Sequence, residues 1–230
     1  QNVWACSAFL SARRTERILH YILLSQPHLR WLFIQYTRPL PLLLALNLCY
    51  ASFMIDVVKL TQDSIRCASV TPDDNGAQGI LIKQLKNMGF EIYDLPFEGS
   101  GSYPVKNFFA RLGAGAPHIC YAGHTDVVPA GDSEAWTHPP FEGAVENGVM
   151  IGRGTSDMKG GNTAFVAAIS KFLDNHKDFK GSISLLITGD EEAEAINGTV
   201  RVLEWMKDNN HVPDMCIVGE PSNPTKLGQE

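Results

Sequence analysis

Ile119 to Asp126 read ICYAGHTD, and this stretch decides the fold: four residues able to form a buried strand, a glycine, then a histidine and an aspartate within two positions of each other. The pattern recurs. Ile183 to Glu192 read ISLLITGDEE and Met215 to Pro221 read MCIVGEP, each an apolar run that ends at a glycine followed at once by acids. Runs this short and this apolar are those of strands covered on both faces. Between them lie helix-like segments, Gly161 to Leu173 and Gly198 to Lys207. Strand and helix alternate, which predicts an α/β domain with a mainly parallel sheet flanked by helices.

Upstream, Ile55 to Cys67 and Gly76 to Met88 have amphipathic helical spacing, with Gly89 as a C-terminal stop. Phe90 to Leu95 and Lys106 to Leu112 read as strands separated by a turn around Gly99, Ser100 and Gly101. The first 53 residues differ in kind. They hold five arginines, no lysine and one acid, Glu16, whereas the remaining 177 hold fourteen basic and twenty-four acidic residues. The reading is therefore of two segments, 1–53 as an extension of doubtful structure and 54–230 as part of a catalytic domain. Met54 stands as a candidate natural start. Leu40 to Ile55 is the most apolar stretch, but Pro41 and Asn47 interrupt it and it is shorter than the ~20 residues of a spanning helix. A membrane anchor is the alternative reading of the extension.

The acidic balance of the larger segment argues against nucleic acid as a partner, because phosphate contacts need Lys and Arg. Five cysteines (Cys6, Cys49, Cys67, Cys120 and Cys216) are scattered without a CxxC pair. Cys120 and Cys216 fall inside strand-like runs. Reduced, buried thiols in a cytoplasmic protein are expected, not a disulfide framework.

Open α/β sheets bind ligands beyond the carboxyl ends of their strands. Parallel strands would therefore bring His124, Asp126, Glu191, Glu192 and Glu220 to one rim. Asp157, in Gly152-Arg153-Gly154-Thr155-Ser156-Asp157 just before a helix, would join them. Each residue has a plain structural reading taken alone: His124 a capped surface residue, Asp126 a turn residue, Asp157 an N-cap, Glu191 and Glu192 the acidic start of a helix. Together they make a carboxylate cluster that would repel itself and retain protons unless cations are bound.

Five sequence blocks occur in order: His124-Thr125-Asp126-Val127-Val128-Pro129 with Trp136 and Pro140-Phe141; Gly152-Arg153-Gly154; Asp157-Met158-Lys159-Gly160; Asp190-Glu191-Glu192; and Gly219-Glu220-Pro221. This resembles the dinuclear zinc metallohydrolase family of aminoacylases and glutamate-releasing carboxypeptidases. Two details, Ala195-Ile196-Asn197-Gly198-Thr199 and Ser222-Asn223-Pro224 with Leu227-Gly228, resemble the branch that removes succinate from an acylated diamino acid. The resemblance implies metal ligands His124, Asp157, Glu192 and Glu220, with Asp157 bridging two zinc ions, His124 and Glu220 on one and Glu192 on the other. It implies Glu191 as general base and Asp126 as the acceptor that orients His124. Cobalt is an expected substitute for zinc, a small acylated diamino acid the expected substrate, and a homodimer the family's expected state.

The family also uses a lid and dimerisation domain and a far-downstream histidine on its second metal. The chain given stops at Glu230, so the expectation is an incomplete second site and impaired turnover. Two other readings are kept: a deacylase for another substrate such as acetylornithine, and a metal-binding fragment without activity.

Overall fold

The computed structural model describes residues 4–6, 21–23, 55–99 and 101–222. Contacts divide the chain into Gln1–Ser52 and Phe53–Glu230. In the first unit, β1 (Trp4–Cys6) pairs antiparallel with β2 (Tyr21–Leu23). The rest of the extension, including residues 40–54 of the apolar run, lies outside the described residues, as do positions 223–230.

The second unit opens with two helices. In α1 (Val57–Arg66) the Asp56 carboxylate accepts the Lys59 N–H at 3.0 Å, an N-cap that satisfies one of the free amides of the first turn. Leu60 and Ile65 face the core, while Lys59 and Asp63 pair on the wet side. Helix α2 (Ala77–Asn87) ends at the predicted glycine: Gly89, at φ 88°, donates to Lys86 and Phe90 donates to Leu85, which closes the helix in a Schellman turn.

Next come β3 (Glu91–Asp94), a hairpin of β4 (Phe97–Gly99) and β5 (Ser102–Val105), β6 (Phe108–Leu112) and β7 (His118–His124). A second hairpin, β8 (Ala144–Glu146) with β9 (Val149–Ile151), precedes α3 (Gly160–Asn175). Then follow β10 (Ser182–Thr188), α4 (Thr199–Asp208) and β11 (Met215–Val218). The main sheet runs β11-β7-β10-β6-β3. The three strands read first in the sequence, β7, β10 and β11, are parallel, as expected.

The other two make the sheet mixed: β6 runs antiparallel to β10, and β3 antiparallel to β6. The reason is connection length. Only five residues link β6 to β7, enough to reverse the chain but too few for the crossover a parallel pairing requires.

One face of the sheet packs Phe108, Ala110, Tyr121, Ile183, Leu185 and Ile187 against Leu60, Leu81, Leu85, Val166 and Ile169 from the three helices α1–α3. The opposite face packs Phe109, Cys120 and Leu186 against Val202 and Met206 of α4. Two expectations fail at β11. Its four residues are all exposed, and Cys216 is exposed although Cys120 is buried as anticipated. Strand β11 is an edge strand, hydrogen-bonded only to β7, so its apolar side chains gain no second neighbour from the described residues.

Candidate metal centre

Because β7, β10 and β11 are parallel, their carboxyl ends fall on one rim. His124 ends β7, Glu191 and Glu192 follow β10, and Glu220 lies two residues beyond β11. The Gly219 amide donates to Ala122 at 3.1 Å, which carries the β11–β7 pairing on toward Glu220. Asp157 arrives from the other direction. It sits in a tight turn over Thr155–Lys159, at non-helical φ −117° and ψ 101°, so that α3 starts at Gly160 and Asp157 does not cap it. Gly154 gives that turn room: at φ 83°, a Cβ there would come within 2.6 Å of Val127.

Everything converges on one imidazole nitrogen. His124 is 1% exposed, and its Nε2 lies 3.1 Å from Asp157 Oδ1, 3.5 Å from Glu220 Oε1 and 3.8 Å from Glu191 Oε2. Ligand atoms of His124, Asp157 and Glu192 all fall within 4.8 Å of one another, and so do those of His124, Glu191 and Glu220. His124, Asp157, Glu191, Glu192 and Glu220 are thus brought together, and Asp126, the sixth residue expected at the rim, lies against the His124 ring. The grouping differs from the sorting that the family resemblance implies. His124 stands in both groups, Glu192 falls with His124 and not apart from it, and Glu191, expected as a base, stands among the possible ligands with Glu220.

The other imidazole nitrogen is tied down. Nδ1 is 3.0 Å from the main-chain carbonyl of Asp126 and 3.4 Å from its carboxylate. The carbonyl is therefore the nearer acceptor. The Asp126 carboxylate, 2% exposed, also receives the amides of Glu191 and Glu192 at 3.1 Å and the Thr71 hydroxyl at 2.8 Å.

The electrostatics favour a cation. Burial pushes the Glu192 carboxyl up, and neighbouring Asp157 adds to this; burial and the nearby Asp157 and Glu191 do the same to Glu220, against the opposing effect of His124. Burial pulls the His124 imidazole down. The Asp126 hydrogen bond, with the charges of Asp126 and Glu220, outweighs it and lifts the value to about 9. One buried histidine facing four carboxylates is a donor set suited to zinc, which accepts imidazole nitrogen and carboxylate oxygen.

Several supporting residues have no role assigned by the sequence alone. Met158 Sδ accepts the His124 amide at 3.3 Å, and Asn162 Nδ2 donates to the His124 carbonyl at 2.6 Å. Asn162 in turn accepts the Tyr121 hydroxyl at 3.0 Å. The Lys159 ammonium, fully buried, donates to the carbonyls of Ser64 and Cys67 at 3.0 and 2.7 Å, fastening the Asp157 turn to the end of α1. Met158 and Lys159 lie inside the Asp157–Gly160 motif, and Asn162 follows two residues beyond it. Thr71 is 55 positions from its partner, and nothing local announces it.

An α/β sheet with a histidine and acids gathered at its parallel strand tips is an architecture suited to holding metal ions. The chain carries a domain of Peptidase family M20/M25/M40, matched over residues 120–229. It is 56% identical over 169 residues to a succinyl-diaminopimelate desuccinylase of Gluconacetobacter diazotrophicus, covering 74% of this chain and 43% of that protein. It is 52% identical over 173 residues to the enzyme of the same name from Rhodospirillum centenum, covering 75% and 45%. The chain thus spans under half the length of these curated relatives.

Solved structures agree on the fold. Human carnosine dipeptidase 1 matches with a TM-score of 0.59 at 24% identity, over 72% of this chain and 38% of its own. The M20 metallo-carboxypeptidase Sso-CP2 of Sulfolobus solfataricus matches with a TM-score of 0.59 at 20% identity, over 74% and 38%.

Proposed function

We propose that this domain is the metal-binding part of an amidohydrolase that cleaves N-succinyl-LL-2,6-diaminopimelate into succinate and LL-2,6-diaminopimelate. The observation that carries the reading is the convergence of Asp157, Glu191 and Glu220 within 3.8 Å of His124 Nε2, in a chain 56% and 52% identical to two desuccinylases over 169 and 173 residues. His124, Asp157, Glu192 and Glu220 would hold zinc, with cobalt as a substitute. Bound zinc supplies Lewis acidity that makes water nucleophilic near neutral pH and polarises an amide carbonyl.

The chain's own residues do the rest. Glu191 is half exposed at the rim and can take a proton from the attacking water and return it to the departing amine. Asp126 holds the His124 ring through Nδ1 and leaves Nε2 facing the carboxylates. The substrate is small and the protein cytoplasmic and homodimeric in this reading. No described helix is long and apolar enough to cross a membrane.

The test has two arms: zinc uptake by the purified chain, and succinate release by the full open reading frame that encodes it, with N-acetylornithine as competitor. Faster cleavage of acetylornithine would move the protein to another branch of substrate use. Failure to take up zinc would remove the hydrolase reading altogether. A second reading, metal binding without turnover, is favoured by the position of Glu191 among the possible ligands. Zinc uptake with no succinate release would select it.

A further inference from the structure

Glu191 and Glu192 lie in an irregular loop, residues 191–196, whose side chains are exposed or half-exposed. Such a segment has little packing of its own to fix it. Its two ends, however, are fully buried: Asp190 and Asn197 are both 0% exposed. Both ends, and the middle, are gripped by the same hairpin, β4–β5.

The Tyr103 hydroxyl donates to Asp190 Oδ1 at 2.8 Å and accepts the Glu194 amide at 3.3 Å. Ser102 donates to the Glu194 carboxylate. Asn197 Nδ2 donates to the carbonyls of Tyr103 at 2.8 Å and Gly99 at 3.2 Å. Asn107 closes the circuit below, donating to the Asn197 carbonyl at 3.0 Å and accepting the Thr188 hydroxyl at 2.7 Å. The far end is also tightly packed, since a Cβ on Gly198 would come within 2.6 Å of the Asp190 carbonyl. Opposite the hairpin, the Asp126 carboxylate holds the amides of Glu191 and Glu192.

We infer that the β4–β5 hairpin is a clamp that sets the position of Glu191 and Glu192 at the metal centre, and that Tyr103 is its central positioning residue. The inference rests on the metal-binding reading above and adds to it residues outside the set of possible metal ligands. Tyr103 is suited to the role because its hydroxyl bridges the loop at two points with one rigid ring. Asp190 depends on it. Its Oδ2 is buried without a partner, so the Tyr103 bond to Oδ1 is the only side-chain hydrogen bond to that carboxylate among the described residues. Removing the hydroxyl would leave a buried carboxylate with neither oxygen satisfied, a situation relieved only by displacement of the loop or of its charge.

The test uses the whole chain with Tyr103→Phe, read by hydrogen exchange and by zinc titration. The expected result is faster exchange at amides 191–196, unchanged protection in β7 and β10, and zinc affinity weakened about tenfold or more. Asp190→Asn, which keeps an oxygen acceptor for Tyr103, should retain most of the protection and most of the affinity. Unchanged exchange in Tyr103→Phe would overturn the clamp. Faster exchange with unaltered zinc affinity would overturn the positioning role. A wild-type chain that takes up no zinc would overturn the metal reading and the positioning role with it. That result is distinguishable because the parent protein then fails, while exchange still judges the clamp.

Discussion

The Asp126 carboxylate accepts the main-chain amide of Glu192 at 3.1 Å while lying 3.4 Å from Nδ1 of His124. One buried residue therefore steadies the ring that presents Nε2, by its main-chain carbonyl and the charge of its carboxylate, and holds by that carboxylate the backbone that presents a neighbouring acid. The tips of β7 and β10 are coupled through it as well as through the sheet.

This coupling predicts a double effect for Asp126→Ala. The Glu191 and Glu192 amides and the Thr71 hydroxyl would lose their common acceptor, and His124 would lose a charge partner. Breaking a buried charge pair of this kind destabilises by about 3–5 kcal/mol. The main-chain carbonyl still holds the ring, but loss of the carboxylate that supports His124 and the Glu191 and Glu192 backbone weakens metal binding about 10–100-fold. Urea unfolding and zinc titration measure the two separately. A variant that unfolds earlier yet binds zinc as tightly would confine Asp126 to a structural part.

Glu191→Gln separates base from ligand. As a base, Glu191 is expected to matter about 10²–10⁴-fold in turnover, with metal content nearly unchanged, because the amide keeps the side chain's size. Turnover is measured on the full open reading frame and zinc by elemental analysis. Loss of zinc in this variant would make Glu191 a ligand, the arrangement in which it groups with His124 and Glu220.

The strand tips were legible because a glycine followed by a histidine or an acid, directly after an apolar run, is an unusual local signal, and three parallel strands carry it to one rim. The hairpins β4–β5 and β8–β9 were not. Each strand is three or four residues long, and β5 contains Pro104, so periodicity had nothing to act on. The four residues of β11 read as buried because they are apolar, but burial depends on what stands beside a strand, which its own letters do not record. Thr71 to Asp126 and Tyr103 to Asp190 are contacts between distant positions, visible only once the chain has folded.

His124 predicts a pH dependence with a definite sign. Its value is lifted from 6.5 to about 9 in the folded, metal-free chain. A raised value means the proton stabilises the fold fully below about 6.5, and that this contribution is lost as pH rises through about 9. Metal needs the neutral ring, so zinc must displace that proton. Apparent zinc affinity should therefore climb about tenfold per pH unit from 6.5 toward 9 and then level off. Titration in metal buffers across that range gives the slope. A flat profile would mean that His124 is not a ligand.

Lys159 works in the opposite direction. Burial pulls its ammonium down to about 8, with Cys67, Asp74 and Asp126 pulling back toward the ordinary range. Between about 8 and 10.5 the unfolded chain then binds more protons than the folded one, so this group makes stability rise with pH across that window. Its two acceptors, the carbonyls of Ser64 and Cys67, lie at the end of α1 and have the ammonium as donor. Lys159→Met keeps the length of the buried stem and removes the charge. Both carbonyls keep a main-chain donor, the Cys67 amide on Ser64 and the Ser69 amide on Cys67. The variant therefore loses two hydrogen bonds to a charged group, each contributing about 1.5–3 kcal/mol, and the rise in stability above pH 8 should vanish in it. Denaturant unfolding of both chains at pH 7, 8, 9 and 10 provides the comparison. If the variant matches the parent at every pH, the ammonium does not anchor the turn, and Asp157 must be held by the Gly154 packing and the start of α3 instead.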